Sequence, residues 1–264
     1  MDIYTPTIAI SILVYIAIGN YAGRGIKNLD DYYVAGRRAP TLLIVGTLVA
    51  SVMSSTMFLG EAGFAYETQA GPYVLFPQAA AIGYVLGALF FGRYLRRSRT
   101  NTLAEFFGQR FNSGRIQVLA GITIILALGG YLLAVTQGAA ILLSELTDLT
   151  YVQGLVVAWL SYTLFTMYSG SRGVILTDTL MFLLFTIASA AAIVFLVLEL
   201  GGVPDIVEAL VGIEEKKGLL SWHGMIGPGT EWPTPMDYLI WAIVIDVSWM
   251  LVYMVSPWQS SRHQ

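Results

Sequence analysis

The chain has 264 residues, 56% hydrophobic and only 12% charged, with a mean hydropathy of +0.69. A soluble domain carries about 25% charged residues, so the composition excludes one and describes an all-α integral membrane protein. The absence of cysteine excludes a disulfide framework and a thiolate metal site. The two histidines, His223 and His263, stand far apart, and the basic residues are scattered over loops without interleaved aromatics. No metal-ligand cluster, no organic cofactor, no nucleic-acid partner and no enzymatic chemistry is expected.

Seven apolar segments follow in order: 6–21, 41–66, 72–91, 116–143, 151–168, 174–200 and 236–255. Met1-Asp2 supplies no basic leader, so a cleaved signal peptide is not expected. If all seven span the bilayer, one side receives Arg24, Lys27, Arg37, Arg38, Arg93, Arg96, Arg97, Arg99, Arg110, Arg115, Arg172 and Arg262. Only Lys216 and Lys217 fall on the other side. Basic loops stay cytoplasmic, which predicts a multi-pass protein of the plasma membrane with its N-terminus outside and residue 264 in the cytoplasm.

The second segment is long enough to cross, since a span needs about 20 apolar residues. Its middle reads Ala50-Ser51-Val52-Met53-Ser54-Ser55-Thr56. Hydroxyl side chains compete for backbone hydrogen bonds. Broken backbone at membrane depth is tolerated where it lines an enclosed cavity, as in transporters. The alternative is an intact helix whose small residues pack closely on neighbours.

Between the segments, Thr102 followed by Glu105 reads as a capping box for a short cytoplasmic helix over 103–111. In the long outer loop, 203–213 has helical spacing and reads as a short surface helix, with Trp222 and Trp232 suited to the interfacial belt. Thr234-Pro235 reads as the N-cap and first position of the seventh helix, and Pro257 as its end.

Burying a charge in the bilayer costs at least ~2.5 kcal/mol, which singles out Asp246 and Glu61. Asp246 is a candidate ion ligand, proton carrier or substrate anchor, or else a structurally paired carboxylate. Glu61, in the outer part of the second segment, is either a gate or vestibule residue or simply a solvated one. Asp178 is expected to pair with Arg172 or cap a helix. Gln137, beside Thr136 and Gly138, is expected to link helices by a hydrogen bond. Trp249 and Tyr253 stand one turn apart, as an aromatic wall or as ordinary packing.

From about Asp31 onward the chain resembles the sodium:solute symporters, whose fold is the LeuT-like inverted repeat. Asp31-Tyr32-Tyr33-Val34-Ala35-Gly36-Arg37 resembles the family's lead into its first core helix. Thr102-Leu103-Ala104-Glu105-Phe106-Phe107 with Arg110-Phe111 resembles its cytoplasmic helix. Phe165 to Asp178, through Gly170, Val174 and Thr177, resembles its Y-x-x-x-G-G-x-x-A-V-x-x-T-D motif, and Pro257 to Arg262 the close of its sixth core helix.

The resemblance implies a sodium site, with Ala50 and Met53 contributing backbone carbonyls. It implies a substrate pocket at Ser54, Thr56, Met57 and Gly60, with Ser248, Trp249 and Tyr253 opposite and Gln78 as a further candidate. The sequence departs from the family at Val52, Phe165, Ser169, Met181 and Ser256. Val52 replaces an acid that some members carry beside the ion ligand, so coupling through that side chain is excluded.

The expected organisation is one membrane domain over 1–264. It comprises a leading helix at 1–22, a first five-helix repeat at 41–200, an outer loop at 201–235 and the first helix of a second repeat at 236–257. Because the family's chains are roughly twice as long, the sequence reads as truncated. The implied function is secondary transport, with sodium entry driving uptake of a small organic solute such as an organic acid or amino acid. The alternative is a membrane sensor or regulatory domain, or a non-transporting fragment.

Overall fold

A computed structural model describes residues 3–37, 39–69 and 80–260. Among them the chain is helical, with no named strand. The helices are α1 (Tyr4–Gly23), α2 (Leu29–Val34), α3 (Thr41–Val52), α4 (56–69), α5 (82–98) and α6 (Leu103–Arg110). They continue as α7 (Gly114–Leu146), α8 (Tyr151–Met167), α9 (Gly170–Glu199), α10 (Val203–Val211), α11 (Pro235–Val255) and α12 (Pro257–Ser260). Four stretches are long and apolar enough to cross a membrane: Tyr4–Gly23, Gly114–Leu146, Gly170–Glu199 and Pro235–Ser260. Thr41–Val52 and Met57–Glu67 meet the same length and hydropathy only as a pair, which is a broken span or a re-entrant loop. α8, with 17 residues, is a shorter apolar helix, and the first part of the third expected segment lies outside the described residues. Ile122, Ile125 and Leu126 on α7, and Ile187, Val194 and Phe195 on α9, are exposed. Such surfaces belong in lipid.

The chain divides into two compact units. The first comprises Met1–Thr56, Gly92–Leu183 and Pro257–Gln264. Its helices approach where side chains are missing. A Cβ on Gly19 of α1 would lie 2.6 Å from the Phe165 carbonyl oxygen on α8, and one on Gly46 of α3 would lie 2.7 Å from Thr179 Oγ1 on α9. α8 meets α7 in the same way at Gly154, 2.9 Å from the Ala140 oxygen. Small residues at such crossings admit close backbone packing in membranes. The turn between α8 and α9 needs glycine on two counts at Gly170. Its φ is +51°, and a Cβ there would lie 2.5 Å from the Tyr32 oxygen. Thus the glycine kept from the Ser169-Gly170 pair is the one that the turn requires.

The helix ends follow local chemistry. Asn28 accepts from the Asp31 N–H to start α2, and Thr102 accepts from the Glu105 N–H to start α6. The Glu105 carboxylate takes the Asn101 N–H at 2.8 Å, one residue earlier than a reciprocal capping box would. On α12, Trp258 stacks on Tyr131 of α7 with centroids 4.8 Å apart.

The second unit comprises Met57–Phe91 and Leu184–Ser256. Here α5 lies directly against α11, since a Cβ on Gly83 would collide with the Met250 carbonyl and one on Gly87 would lie 2.8 Å from the Met254 oxygen. Tyr84 stacks on Tyr253 at 4.9 Å. α11 begins with a full capping box, Thr234 with Asp237, and Pro235 follows as expected. It stops at Ser256, whose ψ of 145° is the extended conformation imposed by the following Pro257.

The outer loop corrects one expectation. Trp222 is exposed, but Trp232 is only 2% exposed. It sits 5.1 Å from Tyr238 and 4.9 Å from Trp241, with Phe64 of α4 at 5.9 Å. Trp232 is therefore a core residue that pins the loop to α4 and α11, not a belt anchor. The expected surface helix is present as α10.

Candidate functional site

The interruption expected in the second segment is present. α3 ends at Val52, and Met53 leaves helical geometry with φ −72° and ψ 76°. The Met53 N–H still reaches the Val49 oxygen at 3.3 Å. The Ser54 N–H turns to the Val52 oxygen at 2.8 Å instead of reaching back four residues to Ala50. The bond that an unbroken helix would make to the Ala50 carbonyl is thus replaced. The chain winds again from Thr56 as π-helix over Thr56–Glu61, a form found mainly as local bulges at functional sites.

The hydroxyls around the break divide their roles. Ser51 Oγ bonds back to the Thr47 oxygen at 2.6 Å within α3. Ser55 Oγ reaches the Val135 oxygen on α7 at 3.4 Å. Directly beside it, a Cβ on Gly138 would collide with the Ser55 side chain. The intact-helix reading of the hydroxyl run therefore fails at Met53, although the close packing of small residues it called for is present at Ser55.

The expected ion ligands Ala50 and Met53, with Ser54, are half-buried in the first unit, and Thr56 closes that stretch of it. Met57, Gly60, Glu61, Asp246, Ser248, Trp249 and Tyr253 belong to the second unit. Within that unit Trp249 and Tyr253 come together at 5.7 Å, and Tyr84 extends the pair into an aromatic row. Ser248 is exposed, and Asp246 and Glu61 are half-buried. Gln78 lies outside the described residues.

Two expectations about polar partners are corrected. Asp178 does not cap a helix: it lies in the third turn of α9, where Oδ2 accepts from Thr47 Oγ1 at 2.5 Å. Arg172 donates instead to the Gly25 oxygen at 2.6 Å. Gln137 is exposed, and the link from α7 to α8 is made by its neighbour, Thr136 Oγ1 to Tyr162 Oη at 3.1 Å. Gly138 and Tyr84 were not singled out as site residues. The signal for Gly138 was a small residue within a long apolar helix. Tyr84 gave none, because tyrosine is plentiful here.

Among the described residues there is no group of three or more His, Asp or Glu side chains able to hold a metal. Backbone oxygens at a helix break are hard donors suited to an alkali cation, and the freed carbonyl at Ala50 and the turned Met53 fit that description.

Apolar helices running one after another, one of them broken at a hydroxyl-rich centre, define a multi-pass membrane protein of the transporter class. The chain belongs to the sodium:solute symporter family, whose profile matches residues 32–257. It is 27% identical over 220 residues to the sodium/pantothenate symporter of Escherichia coli, covering 81% of this chain and 45% of that one. It is 27% identical to the sodium/proline symporter of the same organism, covering 80% and 44%. With the human sodium/myo-inositol cotransporter it shares 26% identity, covering 75% and 28%. The chain thus spans less than half the length of these curated relatives. The solved structure of a Na+-coupled sialic acid symporter matches all of this chain and 55% of its own, with TM-score 0.76 and 18% identity, a likeness of fold. The family and the fold are those of transporters, not enzymes.

Proposed function

We propose that this chain forms part of a secondary transporter in which sodium entry drives uptake of a small organic solute. In this reading 1–22 is a leading helix, 41–200 the first repeat and 236–257 the first helix of a second repeat. The protein resides in the plasma membrane with its N-terminus outside and residue 264 in the cytoplasm. The Ala50 and Met53 carbonyls contribute to the sodium site. Ser54, Thr56, Met57 and Gly60 are solute-binding residues of the second segment, and Ser248, Trp249 and Tyr253 those of the seventh.

The observation that carries the reading is the turn at Met53–Ser54, which redirects the Ser54 N–H to Val52 and releases the Ala50 carbonyl. Dehydrating a cation requires such preorganised oxygens, because a freely hydrogen-bonded helix has none to offer. Bound sodium would hold the broken backbone in one geometry and so favour the state that binds solute. The solutes named for the relatives, pantothenate, proline and myo-inositol, support a small organic solute, and we propose an organic acid or amino acid among these.

The test is uptake into proteoliposomes holding the full-length protein that carries this chain, with a panel of organic acids, amino acids and polyols. Accumulation is expected to follow an imposed sodium gradient and to collapse when sodium is equal on both sides. Thr56→Trp is expected to abolish solute uptake while leaving the protein folded. Uptake indifferent to the sodium gradient would rule the proposal out.

A further inference from the structure

A cavity of about 560 Å³ opens in the first unit, away from the broken helix centre. It lies between the end of α1, the start of α3 and the start of α9, with Tyr21, Leu43, Ile175 and Leu176 among its walls. Two arginines line it, Arg24 and Arg172. Among the described residues no acid lines it.

The local sequence explains this arrangement. Gly23 lets the end of α1 press against Tyr168, just before the turn into α9. That packing sets Arg24, the residue following α1, near Arg172 in the first turn of α9. Arg172 Nη1 donates to the Gly25 oxygen at 2.6 Å, which fixes its guanidinium across the carbonyl end of α1. A guanidinium carries five N–H donors in a planar fork, so one bond anchors the group and the others remain to bind. α3 starts at the same rim, at Pro40, with no side-chain cap, so its positive dipole end adds to the field of the arginines.

Positive charge at the mouth and apolar walls behind it, at the ends of membrane helices, match an amphiphile with an anionic head. Basic pockets of this kind between membrane helices bind lipid phosphates. We propose that this cavity is a binding site for an anionic phospholipid. Arg24 and Arg172 hold the headgroup phosphate, and one acyl chain lies along Leu43, Ile175 and Leu176. Arginine suits the task better than lysine, because its fork pairs two phosphate oxygens at once.

The test is native mass spectrometry of the full-length protein in detergent. It is titrated with phosphatidylglycerol or with phosphatidylcholine of the same acyl chains. Selective retention of phosphatidylglycerol is expected, and Arg24→Gln is expected to weaken it about fivefold. Arg24→Lys should restore part of the affinity. Arg172→Gln also removes the bond to Gly25, so its melting temperature is measured alongside, and Arg24→Gln is the deciding variant. Equal retention of the two lipids, or an unchanged preference in a folded Arg24→Gln protein, overturns the proposal. If inorganic phosphate alone raises the melting temperature as much as phosphatidylglycerol does, the site takes free phosphate and the lipid assignment fails. None of these readouts depends on sodium coupling, so the transport proposal and this one stand or fall separately.

Discussion

Thr47 Oγ1 donates to Asp178 Oδ2 at 2.5 Å, joining α3 to α9 one turn before the helix break, and Thr47 is fully buried. The threonine supplies a donor to a carboxyl group that the sequence alone assigned elsewhere. Thr47→Val keeps the shape and removes the donor. Hydrogen bonds to charged groups contribute about 1.5–3 kcal/mol, and a loss of that size is expected. Thr47→Ser, which keeps the hydroxyl, should lose much less. Thermal unfolding of both variants in detergent checks the difference.

The crossing of α5 and α11 rests on Gly83, where an added Cβ collides with the backbone oxygen of Met250. Backbone cannot rotate away as a side chain can. Gly83→Ala is therefore expected to destabilise the fold by about 1–3 kcal/mol, the cost of overpacking. Gly129 on α7 has nothing within 4 Å of an added Cβ. Gly129→Ala should melt at or slightly above the parent temperature, since alanine is the better helix former by about 1 kcal/mol.

In the outer loop the two tryptophans are expected to part company. Trp232→Ala empties the cluster of Phe64, Tyr238 and Trp241 and should cost about 3–5 kcal/mol. Trp222 is 64% exposed, and Trp222→Ala should shift stability by about 0.5 kcal/mol or less. Melting curves of the pair decide whether the loop is pinned by Trp232. Limited proteolysis offers a second readout, with cleavage between 212 and 231 rising only in Trp232→Ala.

Gly138 offers a handle on the break that leaves the break's own residues unchanged. A methyl there must displace Ser55, and Ser55 follows the turned backbone of Met53 and Ser54 directly. If that backbone holds sodium, Gly138→Ala should raise the half-saturating sodium concentration about tenfold, equivalent to ~1.4 kcal/mol. Maximal uptake at saturating sodium should change much less. Sodium titration of uptake in proteoliposomes measures both.

The sequence by itself determined the membrane class, the order and approximate bounds of the long helices among the described residues, and the place of the break. It also determined the caps at Thr102 and Thr234 and the stop before Pro257. Each of these is a local property. Hydrophobic runs measure out the bilayer, hydroxyls loosen the helix that carries them, and capping residues act on N–H groups within three positions. Only the tertiary structure decided that Asp178 meets Thr47, that Thr136 and not Gln137 reaches α8, that Trp232 is buried, and that Gly138 faces Ser55. These pairs lie on segments far apart in the chain, such as Thr47 and Asp178, 131 residues apart. Which side chain meets which depends on the rotation of each helix about its axis. In a helix apolar on every face, no polar stripe in the sequence fixes that rotation, so packing at the glycines fixes it instead.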